Sequence, residues 1–386
     1  MRRRELLFSL PALFLTRRVF AQAAAPLRIR GINHVTLLVS DVKRSMDFYQ
    51  GLFGMPVISR QGSIVNLQIG AGPQFLSLVP AAGKMPTIAS LGISVEGFSV
   101  DKVTSALSAN GVTMADPSSD EGLGGAMKMR TRKRGPDAGG AREGTPEFFF
   151  TDPEGVLVQV QDPKYCGGAG VLGNIPSREP SPQKGRLALR DWSHLTIFGS
   201  DATRSNNFYR DVFGARVQAY QGPTAPVMGV GGVEFLMFAG GGGRGRGPGG
   251  GTGPTGSINH VCMNMDGFNA DAVIAALEAH GLKARGGGAG PAAPGAGGGR
   301  PGGPGGPGGP GGPGGPGGPG GPGRATGPGG GAGPLVHYIS VREENRGGAK
   351  EGTKELYFTD PDGLLMQLQD STYCGGAGLL GEICTA

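Results

Sequence analysis

Five histidines and four cysteines are the side chains whose types suit metal ligation, proton transfer or disulfide chemistry. An imidazole ligates a divalent ion when neutral and carries a proton near neutral pH. His34 and His194 occupy the same place in two similar apolar stretches, NHVTLLVSD and SHLTIFGSD, and His260 lies in a third, INHVCMNM. His280, in LEAHGL, reads instead as an ordinary helix end before a glycine, favourable to the helix dipole and nothing more. Four thiols allow three full pairings, which sequence does not choose among. Cys374 and Cys384 stand ten apart in CGGAGLLGEIC, the cheapest loop to close. The first half carries the same tail, YCGGAGVLGNIP, with Pro176 at the second cysteine's place, so Cys166 lacks that partner.

The elements that must carry these residues come twice. Residues 32–57, INHVTLLVSDVKRSMDFYQGLFGMPV, align without gaps on residues 192–217, and residues 150–175, FTDPEGVLVQVQDPKYCGGAGVLGNI, align on 358–383. The offset grows from 160 to 208 between the blocks, and a Gly/Pro insert accounts for nearly all of the difference. One unit of about 145 residues is therefore used twice. Within it, residues 32–40 alternate as a strand, with Val35, Leu37 and Val39 on one side. Asp41 can cap a helix whose apolar positions Met46, Tyr49, Leu52 and Phe53 lead to Gly54. Strands are expected at 55–60, 64–69 and 74–79. The order recurs as a strand at 88–96, a helix at 99–110 and strands at 126–132, 147–151 and 156–161. The expected class is α+β: four βαβββ modules in two domains, residues 29–175 and 188–383, joined by a linker at 176–187. Each unit is expected to fold separately.

H-V-T-L-L-V-S-D, then D-F-Y-x-x-L-F-G, then F-T-D-P-[ED]-G resemble the vicinal oxygen chelate superfamily. Glyoxalases, bleomycin-resistance proteins and extradiol dioxygenases are among its members. The resemblance covers both units and implies sheets curled round a cleft, with four strand positions able to present metal ligands. In the second unit these are His194, Met237, His260 and Gln367; in the first they are His34, Ser77, Ser90 and Gln159. It implies a divalent ion, Fe(II), Mn(II) or Zn(II), held by His194, His260 and Gln367. The amide brings no charge, so affinity falls and the ion stays more electrophilic. In the first unit only His34 and Gln159 remain, and His34 is expected to bond within a filled cleft. By the same resemblance His337 and Tyr357, the latter in ELYFTDPDG, stand for an acid–base pair. Trp192 on the face of His194 and Cys262 on that of His260 are expected to line the cleft, with Arg342 meeting an anionic substrate. Glu234, three residues from Met237, is expected on the opposite strand face.

Composition bounds the rest. Of 78 glycines, 11 fall in residues 240–256 and 28 in residues 286–334, so the excess is local and two domains' worth of ordinary chain remains. Residues 286–334, with their Pro-Gly-Gly repeat, are expected to be a disordered loop. The formal charge of +6 owes much to five arginines against one glutamate in the first 25 residues. With one tryptophan and seven tyrosines besides, nucleic acid is set aside as a partner. The N-terminus, MRRRELLFSLPALFLTRRVFAQAAAP, reads as a signal peptide over residues 1–23 and resembles a twin-arginine export signal. Its ten-residue apolar run spans about 15 Å, too short for a bilayer core of roughly 30 Å, so no stable membrane anchor is expected. The expected function is an exported metal-dependent enzyme acting by Lewis-acid catalysis on a small substrate with vicinal oxygens. The rivals are a metal-free protein that sequesters a small molecule, as the bleomycin-resistance group does, and a surface scaffold tethered by the Gly/Pro tract.

Overall fold

The computed structural model describes residues 25–222, 225–240, 256–285 and 333–384. The leader and the core of both Gly-rich loops lie outside these residues. The first unit runs β1 (Ile29–Val39), α1 (Val42–Phe53), β2 (Val57–Gln61), β3 (Ile64–Gln68), β4 (Phe75–Pro80), then β5 (Thr87–Val95), α2 (Val100–Ala109), β6 (Thr113–Met114), β7 (Lys128–Arg134), β8 (Thr145–Thr151) and β9 (Leu157–Gln161). The second repeats it as β10 (Asp191–Gly199), α3 (Ala202–Phe213), β11 (Arg216–Tyr220), β12 (Pro226–Gly231), β13 (Glu234–Gly240), then β14 (Ser257–Met265), α4 (Ala270–Ala279), β15 (Lys283–Ala284), β16 (Val336–Arg342), β17 (Thr353–Thr359) and β18 (Leu365–Asp370). Every expected strand is present, and the two-residue β6 and β15 are added. Each unit forms one nine-stranded sheet, ordered β2-β3-β4-β1-β5-β9-β8-β7-β6 and β11-β12-β13-β10-β14-β18-β17-β16-β15. The opening strands of a unit's two modules thus lie side by side at its centre, antiparallel.

Local signals set the ends. Asp41 and Asp201 accept the backbone N–H of Arg44 and Arg204, capping α1 and α3. Both helices stop at a glycine in the left-handed region, Gly54 (φ 68°) and Gly214 (φ 71°). Val35, Leu37 and Val39 face the helices, as do Leu195 and Ile197, in a core that runs through both units.

The F-T-D-P-[ED]-G turns explain that continuity. Each turn docks on the first helix of the other unit. Phe150 packs on Phe208 and Phe213 of α3, and Phe358 packs on Phe48 and Phe53 of α1. Asp152 and Asp360 hold their own turns by accepting backbone N–H groups. Tyr49 of α1 donates to Asp360 at 3.2 Å, and Tyr209 of α3 faces Asp152. The variable acid then caps the foreign helix. Glu154 accepts from the N–H of Ser200 (2.6 Å) and Asp201 (3.1 Å), and Asp362 from that of Ser40 (2.9 Å). An anion there also meets the positive end of the helix dipole. His280 has a further role beyond ending α4: its Nε2 bonds the carbonyl of Phe48 at 3.0 Å, across the units. Glu234 crosses them as well, accepting from Ile32 N–H and from Gln74.

Candidate functional site

Strand register builds the site. A bulge at Ser193, between Trp192 paired with Met263 and His194 paired with Cys262, breaks the alternation of β10. From His194 a row of in-register neighbours then crosses the second sheet. It runs from Phe235 through His194, Cys262, Gln367 and Tyr357 to Tyr338, and in-register neighbours share one face. His260 stands two residues from Cys262 on β14, on that same face.

The aromatic packing is close. The His194 ring stacks on Phe235 at 4.3 Å between centroids and lies 5.4 Å from Tyr373. His260 stands edge-on to His194 at 5.5 Å and to Tyr357 at 5.3 Å, and Tyr357 stacks on Tyr338 at 5.2 Å. Neighbouring residues fix the rings. Ser193 Oγ lies 3.1 Å from His194 Nδ1, and Asn259 Oδ1 lies 2.9 Å from His260 Nδ1. An amide oxygen accepts, so His260 carries its proton on Nδ1 and presents the lone pair of Nε2. Burial holds the His260 pKa down to about 4. It holds His194 well below the usual range too, assisted by the neighbouring His260. Both imidazoles are therefore neutral, the form that ligates.

Gln367 faces both rings, and its amide opposes the effect of burial on each. Yet His260 Nε2 and both amide atoms of Gln367 are buried with no hydrogen-bond partner. Three orphaned polar atoms at one place are costly unless something fills the space between them. Among the described residues no three His, Cys, Asp or Glu side chains form a metal-holding group. A donor set must therefore include the glutamine oxygen, and two neutral imidazoles plus that oxygen suit a divalent ion.

The first unit provides an internal control. Its row is Phe75, His34, Gly92, Gln159, Phe149 and Arg130. Here the bonds close: His34 Nε2 meets Gln159 Oε1 at 3.1 Å, Gln159 donates to Tyr165 (3.3 Å), and Tyr165 donates to Glu147 (2.9 Å). Ser90 stands where the second unit has His260, so only one imidazole is left. The cleft is filled by its own side chains, as expected for His34.

The remaining candidates divide. Tyr357 joins the site, its hydroxyl donating to Glu355 Oε2 at 3.2 Å. Cys262 lies in the row, its buried thiol pushed well above its usual pKa by burial. Met237 packs beside Phe235 and Tyr373. Trp192 does not line the cleft, because the bulge turns it into the helix-side core with Leu195 and Ile197. His337 alternates with Tyr338 and so points the other way, its Nε2 3.4 Å from Glu278 of α4. Arg342 is buried and occupied: it pairs with Glu355 (2.8 Å) and donates to the carbonyls of Gly347 and Gly376. Its donors are taken up in holding the tail turn. Arg134 does the same in the first unit with Glu147 and Gly168. The tail turn is also closed by a Cys374–Cys384 disulfide, while Cys166 and Cys262 are free.

Sequence reasoning passed over Tyr338, Tyr373, Glu355, Ser193 and Asn259. For two of them a signal existed, since Tyr165/Tyr373 and Glu147/Glu355 recur at the same 208 offset as Arg134/Arg342.

Residues 31–160 match the family described as the Glyoxalase/Bleomycin resistance protein/Dioxygenase superfamily. Similar solved structures include a catechol 2,3-dioxygenase (14% identity, 91% of this chain and 88% of that one, TM-score 0.50). The Mn(II)-bound glyoxalase from Novosphingobium aromaticivorans is 13% identical over 89% of this chain and 82% of its own, with TM-score 0.50. The 2,3-dioxygenase LapB from Pseudomonas sp. KL28 is 13% identical over 89% and 93%, with TM-score 0.52. At these identities the likeness is one of fold. No curated protein matches the chain.

Proposed function

We propose that this chain, whose first unit belongs to the Glyoxalase/Bleomycin resistance protein/Dioxygenase superfamily and whose second repeats its fold, is an exported metal-dependent enzyme acting on a small substrate with vicinal oxygens. The observation that carries this reading is the convergence of His260 Nε2 and the Gln367 amide, buried and unpartnered, beside a second neutral imidazole at His194. A divalent ion held there would supply Lewis acidity toward two adjacent substrate oxygens. The chain's own residues shape what reaches it. Phe235, Met237 and Tyr373 form an apolar wall, which favours exclusion of water from the imidazoles. Tyr357 stays protonated, because burial and the adjacent Glu355 raise its pKa well above the usual phenol value. Its hydroxyl is thus a fixed hydrogen-bonding group at the edge of His260, and Arg342 holds the carboxylate behind it. The first unit acts as scaffold, donating α1 and its acidic turn to the second.

The glutamine favours a second reading, sequestration without metal, since among the described residues no carboxylate joins the imidazoles in a metal-holding group. Elemental analysis of the purified chain separates the two. The enzyme reading expects about one manganese, iron or zinc per wild-type chain and loss of that metal in His260→Ala. A wild type carrying none of the three would leave sequestration.

A further inference from the structure

The transverse row ends at the sheet edge in an arginine that the site as described does not use. Arg285 follows β15, its backbone N–H bonding His337 O at 2.9 Å, and its guanidinium carbon lies 5.2 Å from the Tyr338 ring centroid. Its Nη1 is buried and has no hydrogen-bond partner, the one cationic donor among the described residues in that state. A guanidinium stacked on an aromatic ring keeps its charge and its planar fork of donors. Leaving one prong buried and unpaired is expensive, and a ligand anion would offset the cost. The first unit again serves as control. Ala115 makes the matching backbone bond, to Met129 O at 2.8 Å, and Arg130 stands in the place of Tyr338. Both the arginine and its aromatic support thus belong to the unit with two histidines.

We infer that Arg285 is the anchor for a carboxylate on the substrate, and that the ligand lies along Tyr338 and Tyr357 with its other end toward His260 and Gln367. The substrate class is then a planar aromatic acid. The fork of Arg285 matches a carboxylate in two parallel hydrogen bonds, and the tyrosine pair offers an aromatic wall beside it. From the strand of Gln367 to β15 is three strand steps of about 4.8 Å each, shortened by the curl of the sheet. The acid group and the opposite end of the ligand should therefore lie on the order of 10 Å apart. Electrostatics agree. Glu355 is matched by Arg342, whereas the guanidinium of Arg285 has a buried prong with no partner. The direction in which the ligand lies rests on the metal-site reading, whereas the role of Arg285 does not.

The test therefore uses the full chain freed of metal. Titration calorimetry would compare 2-naphthoate with the neutral 2-naphthamide, of nearly the same shape. Wild type is expected to bind the acid about tenfold more tightly, a typical gain for one charge-assisted pair. Arg285→Gln should erase the preference, and Arg285→Lys should keep part of it, as charge without the fork. Because the titrated protein carries no metal, a failed metal site is not mistaken for a failed anchor. Equal affinity for acid and amide, no binding of the acid, or a preference that survives Arg285→Gln would overturn the assignment.

Discussion

One β-carbon separates the fates of the two strand-one histidines. At Gly92 a Cβ would lie 2.1 Å from the His34 ring, so this ring reaches Gln159 only because position 92 has no side chain. Cys262 occupies the matching position in the second unit, and His194 cannot take the same pose. Its ring lies closer to Tyr373 than His34 lies to Tyr165, 5.4 against 5.9 Å, and the Gln367 amide is left unbonded. On this account the steric bulk of Cys262 matters more than its thiol. Cys262→Ala should therefore bind divalent ions about as well as wild type. Cys262→Gly should let His194 close onto Gln367 and weaken binding by about tenfold or more, beyond the ~0.5–1 kcal/mol that a strand glycine costs in stability. Equal metal affinity in the two variants, read by calorimetry, would remove the steric explanation.

At the scale of the element, alternation decides which residues meet. The pattern of β1 and β10 was legible in the sequence because Val35, Leu37 and Val39, and likewise Leu195 and Ile197, recur at every second position. The bulge was not, since Ser193 and Asn33 carry no mark of an extra residue, and Trp192 was accordingly placed on the wrong face. His337 stands outside the row for a related reason: Tyr338, one residue along, holds the row position beside Tyr357, and a histidine draws attention that a tyrosine does not. Arg342, expected to meet an anionic substrate, instead ties β16 to the tail turn in the fold. That role predicts a stability effect. Arg342→Gln leaves Glu355 buried without its cation and frees two carbonyls, so it should cost on the order of 3 kcal/mol in urea denaturation. A rim charge would cost within about 0.5 kcal/mol.

At the scale of the molecule, the repeat and its modules were legible, whereas the crossing of the units was not. F-T-D-P-[ED]-G marks a family turn in sequence, but only the fold pairs its acid with a helix about 50 residues away in one case and about 320 in the other. The crossing should be sensitive to pH. Burial raises Asp152 to about 7 and Asp360 to about 6. A carboxyl raised in the fold contributes stability that is fully present below its unfolded value near 4 and is lost as pH rises through 6 and 7. Asparagine keeps the backbone bonds to Oδ1 but does not ionise. The pair Asp152→Asn and Asp360→Asn should therefore gain on wild type by about 2–4 kcal/mol more at pH 8 than at pH 5. Urea melts at the two pH values would show it, and the same difference at both would mean that these carboxyls do not titrate at the crossing.

The whole chain is two units of one fold, and the proposed metal site lies in the second. Calorimetric titration with manganese(II), iron(II) and zinc(II) tests it most directly. One ion should bind per chain, more tightly in Gln367→Glu, where a negative ligand replaces the amide. It should be lost in His194→Ala and His260→Ala and nearly unchanged in His34→Ala and Gln159→Glu. If neither wild type nor Gln367→Glu binds any of the three ions, or if two ions bind per chain, the account is contradicted.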